Sequence, residues 1–448
     1  QYWVGTGSMN EGHWQGSGLS HLLEHLVFKG TAHFSGQELA RKVQERGGHW
    51  NAYTSVNRTV YYIDGPAESW QIFLNLLTEL VFFPTFPEDE MEREKEVVRR
   101  EMAMYADDPD SVAYQLLMQT LYLKHPRRWP VLGERAAFDC LTRQDVLDYH
   151  ASRYVPNNVV LSIAGDVDAA EILSHLELLV EDLKSRPLNR EPIPHEPHQF
   201  GSRRVRKEFA VPYSKLHLAW RLPCSAHPDT PALSALSSIL GGGRSARFYE
   251  KFHDRLGLVY SIEVHSNQSE TDEGAFTISM DVDRAQRDKV RDLVLQELRN
   301  LAEEDFTEDL KRVCKQTRVS RLRRRSSASG VASEMGADWF GSRNLNLSSE
   351  WQEAIERVTT EDLHRVCSTW LSSPNVTEVS LDPPGSNAGD EERASASAGT
   401  ALSEHVLGNG MKVVIREDHR LPLAYACMAF KAGCRAENEH DAGVTDLM

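Results

Sequence analysis

The sequence predicts an α+β protein with two similar domains, each a largely antiparallel sheet covered by helices, followed by the truncated start of a third repeat. Strand-like and helical segments alternate over residues 1–185, the same plan returns over 203–382, and a third start lies in 403–448. A proline-rich linker at 186–202 and a flexible Ser/Ala/Gly/Glu-rich linker at 383–402 separate these parts. The first strand of the first domain is predicted to be missing.

The amino-acid composition limits the classes of protein to which the chain can belong. The chain has 448 residues, of which 40% are hydrophobic and 26% are charged, as is typical of a soluble globular protein with substantial cores. No apolar run approaches the roughly 20 residues that cross a bilayer. The formal net charge of −16 argues against general nucleic-acid binding. The six cysteines show no CxxC spacing and are interpreted as mostly free thiols. The sequence does not determine the cellular compartment, although it slightly favours the cytoplasm over the periplasm.

Hydrophobic periodicity defines the elements of both domains. In the first domain, the predicted helices span 36–46, 67–83, 87–106, 108–124, 142–153 and 168–184, and the predicted strands span 1–8, 49–64 and 157–165. In the second domain, the predicted strands span 214–221, 258–265 and 273–282, and the predicted helices span 230–239, 284–303 and 307–325.

One further helix is predicted within residues 18–31. Four leucines fall on one face when residues are placed at about 100° intervals: Leu19, Leu22, Leu23 and Leu26. Ser17 or Ser20 can cap the start of this helix, and Gly30 suits its end.

The opposite face of this helix carries a possible metal site. His21 and His25 are four residues apart, so their rings can reach one ion at about 2 Å, which is zinc-ligand geometry. Glu24 is close enough to contact a water on that ion. The order His-x-x-Glu-His is the one that marks the inverzincins. A histidine pair on a helix is also commonly idle and solvated, so the site needs a partner elsewhere in the chain.

The helix predicted over 87–106 supplies such a partner. Five residues are predicted to form its apolar face, with Lys95 placed off it: Met91, Val97, Val98, Met102 and Tyr105. Glu94 and Glu101 fall within this face, and a buried carboxylate costs several kcal/mol unless a positive group lies opposite. A zinc ion meets that need, with Glu101 as third ligand and Glu94 orienting a ligand histidine. Pairing of both carboxylates with arginines at a domain interface is an equal alternative.

With both helices in view, the chain resembles the pitrilysin family of zinc metallopeptidases, which includes insulin-degrading enzyme and the mitochondrial processing peptidase. Members carry His-x-x-Glu-His and take a third ligand, a glutamate, from a later helix. The resemblance implies one Zn²⁺ per catalytic domain, bound by His21, His25 and Glu101. It implies Glu24 as the general base and Glu94 as the supporting acid.

Other segments extend the resemblance: Phe28–Thr31, Gly47–Gly48, Asn51–Thr54, Tyr154–Asn158 and Gly165–Val167. In the family, the strand that carries the Asn-Ala pair lies beside the metal and pairs with extended substrate, so Asn51 and Ala52 are implied in substrate binding. Some members hold the substrate carbonyl with an arginine and a tyrosine of the second domain. Tyr260 matches that tyrosine, whereas His253 occupies the place of the arginine.

The resemblance implies a zinc metalloendopeptidase that hydrolyses extended or unfolded peptides. The third repeat places Asp446 where the first histidine would stand, which implies a degenerate C-terminal half, or a partner subunit, that completes a chamber. Strand 411–416 is predicted to fill the sheet position at the start of the first domain. Two alternatives remain open: a non-catalytic scaffold or core subunit, and a processing subunit that is active only with its partner.

Overall fold

The structure is a computed structural model. It describes residues 1–188, 192–268, 274–371, 374–385 and 402–416. The chain forms two compact units, Gln1–Asn387 and Ala388–Met448.

The first sheet has four antiparallel strands. These are β1 (Tyr2–Val4), β2 (His49–Thr54), β3 (Thr59–Asp64) and β4 (Val159–Leu161), in the order β2-β3-β1-β4. The helices of this part of the chain are α1 (Leu19–Val27), α2 (Gly36–Gln44), α3 (Trp70–Phe82), α4 (Glu88–Asp107), α5 (Pro109–Leu121), α6 (Arg135–Asp139), α7 (Arg143–Arg153) and α8 (Ala169–Leu179). Since β2 pairs only with β3 in the described sheet, it is an edge strand.

Helix α1 is anchored by the leucine face that the sequence predicts. All four leucines are fully buried against the first sheet and its helices. The predicted serine cap is wrong, because the N-cap is Gly18 and no side chain of the cap residue bonds to the helix. Gly18 has φ +73°, and a Cβ there would lie 2.0 Å from the Leu132 carbonyl oxygen, so only glycine fits. The buried carboxylate of Glu11 caps the helix instead, accepting the Ser20 amide at 2.9 Å.

Helix α4 buries a narrower stripe than its periodicity predicts. Met91, Glu94, Lys95 and Val98 are the buried residues, a spacing of i, i+3, i+4 and i+7. The predictions for Val97 and Tyr105 are wrong, because both are exposed. The placement of Lys95 off the packed face is also wrong. Its ammonium donates to the Asp139 and Leu141 carbonyl oxygens, which satisfies it inside the protein.

The second sheet has five strands. These are β5 (Arg203–Glu208), β6 (Ser214–Leu222), β7 (Val259–Asn267), β8 (Gly274–Val282) and β9 (Thr377–Asp382), in the order β5-β9-β6-β8-β7. Only β5 and β9 are parallel. The helices are α9 (Thr230–Gly241), α10 (Arg287–Asn300), α11 (Thr307–Arg324), α12 (Ala328–Ser342), α13 (Leu347–Glu356) and α14 (Thr360–Val366). Two π-helical segments, Tyr249–Arg255 and Cys367–Leu371, accompany them. The chain is thus an α+β protein, as the sequence predicts.

Each sheet is covered partly by a helix from the other half of this unit. Leu117 and Leu121 of α5 pack with Val379 of the second sheet. Helix α12 packs against the first sheet so closely that a Cβ on Gly336 would lie 2.2 Å from Nε1 of Trp3. Each sheet of this unit is therefore packed against a helix that is distant from it in sequence.

The second unit contains one described hairpin. Strands β10 (Leu402–Val406) and β11 (Lys412–Arg416) pair antiparallel with each other. Strand β11 is hydrogen-bonded to β10 in a two-stranded sheet. The prediction that segment 411–416 fills the sheet position at the start of the first domain stays a prediction. The other third-repeat matches, including Asp446, lie outside the described residues, as do Cys427 and Cys434.

The described cysteines agree with the thiol prediction: Cys140, Cys224, Cys314 and Cys367 are free. Among the helices that the structure describes, none is both long and apolar enough to span a bilayer.

Candidate metal centre

Helices α1 and α4 bring three predicted ligands together. The Nε2 atoms of His21 and His25 each lie 3.8 Å from Oε2 of Glu101. The two imidazole centroids are 4.7 Å apart, and one ligand atom from each of the three residues lies within 4.8 Å of the others. Within the described ranges, this is the one group of three His, Cys, Asp or Glu side chains that converges in this way.

This donor set fits a divalent cation. A separation of 3.8 Å is too long for a hydrogen bond, so the three groups face one point without satisfying one another. Two imidazoles and one carboxylate are a usual protein ligand set for zinc, with bonds of about 2.0–2.2 Å. Burial and the neighbouring His25 lower the pKa of His21 to about 3, which keeps its ring in the neutral form that binds metal.

Glu94 fixes the second imidazole. Its Oε2 lies 3.1 Å from Nδ1 of His25, and its Oε1 lies 2.7 Å from Nζ of Lys29. Burial works to raise the pKa of Glu94, but these two partners outweigh it and the net shift is downward. Burial likewise works to lower the pKa of His25, yet the Glu94 hydrogen bond and the nearby carboxylates shift it upward overall. The ion pairs described for Glu94 and Glu101 involve no arginine, unlike the alternative that the sequence left open.

Glu24 lies between the two histidines in α1 and contacts the edge strand. Its Oε2 accepts a hydrogen bond of 2.5 Å from Oγ1 of Thr54, the last residue of β2. Burial raises the pKa of Glu24, and the Thr54 hydrogen bond opposes that rise. A half-buried carboxylate with one oxygen held by a hydroxyl is suited to accept a proton with the other.

Lys29 and Thr54 belong to motifs of the sequence, but the motifs by themselves assign neither residue a role. The position of each residue in the sequence nevertheless indicates where its side chain lies. Lys29 is four residues after His25, so it continues the histidine side of the helix. Thr54 lies two and four residues after Ala52 and Trp50, so it shares their inward side of β2, and both are packed against the core.

The proposed substrate contacts lie at two separate places. Asn51 is exposed on β2, where its Oδ1 accepts the Ala52 amide at 2.9 Å, and Ala52 packs against the core. The outer edge of β2 is open along the described sheet. Tyr260 is on β7 of the second sheet, 60% exposed, with its ring centroid 5.3 Å from that of Tyr213. The structure places His253 against Tyr249 by ring stacking, at 4.3 Å.

Two family models match the chain. Residues 1–135 match the one described as Insulinase (Peptidase family M16), and residues 141–316 match the one described as Peptidase M16 inactive domain. The His-His-Glu cluster falls in the first match. The description as an inactive domain applies to residues 141–316.

Curated relatives and a solved structure agree with the two family models. An uncharacterized zinc protease of Bacillus subtilis is 28% identical over 365 residues, which is 81% of this chain and 87% of the relative. A zinc protease of Helicobacter pylori is 27% identical over 376 residues, which is 82% of this chain and 84% of the relative. The crystal structure of a protease from Helicobacter pylori superposes with a TM-score of 0.77 at 26% identity, covering 85% of this chain and 93% of that one.

A structure described as a peptidase M16 inactive domain, from Pseudomonas fluorescens, shares the fold with a TM-score of 0.78 at 20% identity. It covers 85% of this chain and 92% of that one. Fold and relatives together define a protein of the peptidase class. The chain belongs to peptidase family M16, the insulinase or pitrilysin family.

Proposed function

We propose that this chain is a zinc metalloendopeptidase that hydrolyses extended or unfolded peptides. The observation that supports this proposal is the convergence of His21, His25 and Glu101 on one point, with Glu24 on the same face of α1. We further propose that the site belongs to a catalytic domain at 1–185, and that the domain at 203–382 carries no metal.

In the proposed reaction, His21, His25 and Glu101 would hold Zn²⁺, and Glu94 would orient His25. When bound, the ion supplies a Lewis acid that polarises the peptide carbonyl and lowers the pKa of a water toward about 7. Glu24 accepts the proton of the attacking water on the oxygen that Thr54 does not hold. It then donates that proton to the leaving amine.

Substrate binding is proposed to use the open edge of β2. An extended peptide there forms main-chain hydrogen bonds beside Asn51 and Ala52, which selects unfolded chain over folded protein. Tyr260 is the candidate contact from the second sheet.

The test replaces Glu24 with glutamine, which keeps the size of the side chain but cannot accept the proton. We expect Glu24→Gln to bind zinc as the wild type does and to cleave an unstructured peptide at least ~100-fold more slowly. Glu92→Gln, an exposed position on α4, serves as the matched control and should keep full activity. Removal of zinc with a chelator should abolish cleavage, and added zinc should restore it. Normal turnover in Glu24→Gln would refute the assignment.

A second candidate is a subunit that cleaves only with a partner, or a scaffold that does not cleave. The observation that supports a role without independent activity is the description of the second family match as an inactive domain. The chain is assayed alone and with a candidate C-terminal half. A scaffold binds no stoichiometric zinc, whereas a processing subunit binds zinc and gains activity only on mixing.

A further inference from the structure

We propose that Lys29 is a positioning residue that acts through Glu94 to set the orientation of the His25 imidazole. This inference rests on the proposed function, because it matters only if His25 binds a metal. It concerns a residue outside the three proposed ligands, the proposed base and the proposed substrate-binding residues.

Three contacts form a continuous chain from the surface to the metal position. Nζ of Lys29 lies 2.7 Å from Oε1 of Glu94, Oε2 of Glu94 lies 3.1 Å from Nδ1 of His25, and Nε2 of His25 faces Glu101 at 3.8 Å. Each Glu94 oxygen thus has a different partner. The carboxylate plane is fixed at both ends, so it cannot rotate without breaking one contact.

Burial makes the lysine necessary for this arrangement. The Glu94 side chain is 9% exposed, whereas the Lys29 side chain is 30% exposed and keeps contact with solvent. A buried carboxylate oxygen without a partner is costly, so Oε1 needs a donor if Oε2 is to stay on His25. Lys29 also follows the end of α1 at Val27, where the helix dipole favours a cation.

The contact with Glu94 selects one tautomer of the His25 imidazole. With Oε2 of Glu94 accepting from Nδ1, the proton resides on Nδ1 and the lone pair of Nε2 points toward Glu101 and the metal position. His21 lacks such a contact, because its buried Nδ1 finds no hydrogen-bond partner among the described residues. His25 is therefore the ligand whose tautomer a carboxylate selects, and Lys29 is what holds that carboxylate.

The experiment measures metal affinity and tautomer in the full chain. Lys29→Met keeps the aliphatic stem but removes the charge and the donors. We expect its zinc dissociation constant, from competition with a chromogenic chelator, to rise about tenfold, since outer-shell partners are worth about 10–100-fold. In the metal-free protein with ¹⁵N-labelled histidine, at a pH where the His25 ring is neutral, NMR should show His25 changing from the Nδ1–H form to a mixture, with His25→Gln assigning the signal.

Two further variants separate positioning from general stability. Lys29→Arg restores a charged donor and should return zinc affinity to within about threefold of the wild type. Lys251→Met removes a similar Lys–Glu pair, 2.5 Å from Glu297 in the second half of the unit, and should change neither readout. If Lys29→Met does not fold, Lys29→Leu is measured in the same way, because it also removes the charge and the donors, and the same rise of about tenfold is expected.

Unchanged zinc affinity, or an unchanged His25 tautomer, in a folded Lys29→Met chain would overturn the inference. A lower thermal midpoint with both readouts unchanged would also overturn it, because that result indicates support of the fold alone. Failure of the proposed function looks different. The wild type would then bind no zinc and cleave no peptide, while the tautomer measurement in the metal-free chain still decides the role of Lys29.

Discussion

Replacing Thr54 with valine removes a hydroxyl and leaves a side chain of the same shape. In the structure, Oγ1 of Thr54 donates to Oε2 of Glu24 at 2.5 Å, and this contact favours the ionised form of the carboxyl. Burial already raises the pKa of Glu24. Loss of the hydroxyl leaves that rise less opposed, so the pKa of Glu24 moves further upward.

The size of the shift follows from the strength of the contact. A hydrogen bond to a charged group contributes about 1.5–3 kcal/mol, and the lower value applies because Glu24 is only half-buried. Since one pKa unit corresponds to about 1.4 kcal/mol, we expect the pKa to rise by about one unit. Well below the wild-type pKa, about tenfold less of Glu24 is ionised in the variant than in the wild type, and the rate falls by the same factor.

The assay is the pH profile of kcat/KM for an unstructured peptide, whose acid limb reports the essential base of the free enzyme. Zinc is kept saturating so that proton competition at the histidines does not set that limb. Thr54→Val should move the acid limb upward by about one unit and leave the plateau nearly unchanged. Thr54→Ser retains the hydroxyl and serves as the control.

An acid limb of Thr54→Val that coincides with that of the wild type would refute this reasoning. It would mean that Glu24 is not the titrating base or that the hydroxyl does not tune it. A downward shift would refute the sign of the electrostatic argument as well.

Two further predictions concern stability. Gly336→Ala places a Cβ 2.2 Å from the buried Trp3 indole, so overpacking should lower the free energy of unfolding by about 1–3 kcal/mol in urea titrations, despite better helix propensity. The exposed Met335→Ala is its control, and undiminished stability of Gly336→Ala would contradict the close packing. Burial raises the pKa of Glu11 from 4.5 to about 8, so between these values the native state holds a proton that the unfolded state has lost. Wild-type stability should then fall as pH rises from 5 to 8, and the advantage of Glu11→Gln should grow by up to about 1.4 kcal/mol per pH unit. A pH-independent difference between the two would mean that hydrogen bonding to the helix start, rather than burial, governs this carboxyl.

Several helices and strands of both sheets follow from local pattern. The helices predicted at 142–153 and 230–239 and the strands predicted at 214–221 and 273–282 match observed elements within a few residues. These segments alternate or repeat with a clear period, so local sequence suffices.

The missed elements share a physical cause. Strand β9 (Thr377–Asp382) carries three polar residues that are fully buried only because β5 and β6 flank it on both sides. Helix α12 (Ala328–Ser342) is rich in Gly, Ser and Ala and has little amphipathic character, and its Gly336 allows close approach to Trp3. Neither feature is visible in a window of sequence, because each depends on a partner far along the chain.

For the candidate site, the sequence by itself determined which residue types share a helix face: His21 and His25 one turn apart on one helix, and Glu94 and Glu101 two turns apart on another. Covalent spacing and helical period suffice for that. Only the tertiary structure decided that Lys29 and Thr54 satisfy Glu94 and Glu24, and that Val97 and Tyr105 remain exposed. Those outcomes depend on how α1, α4 and β2 pack together, and the contacts that set their relative placement join residues distant in the chain.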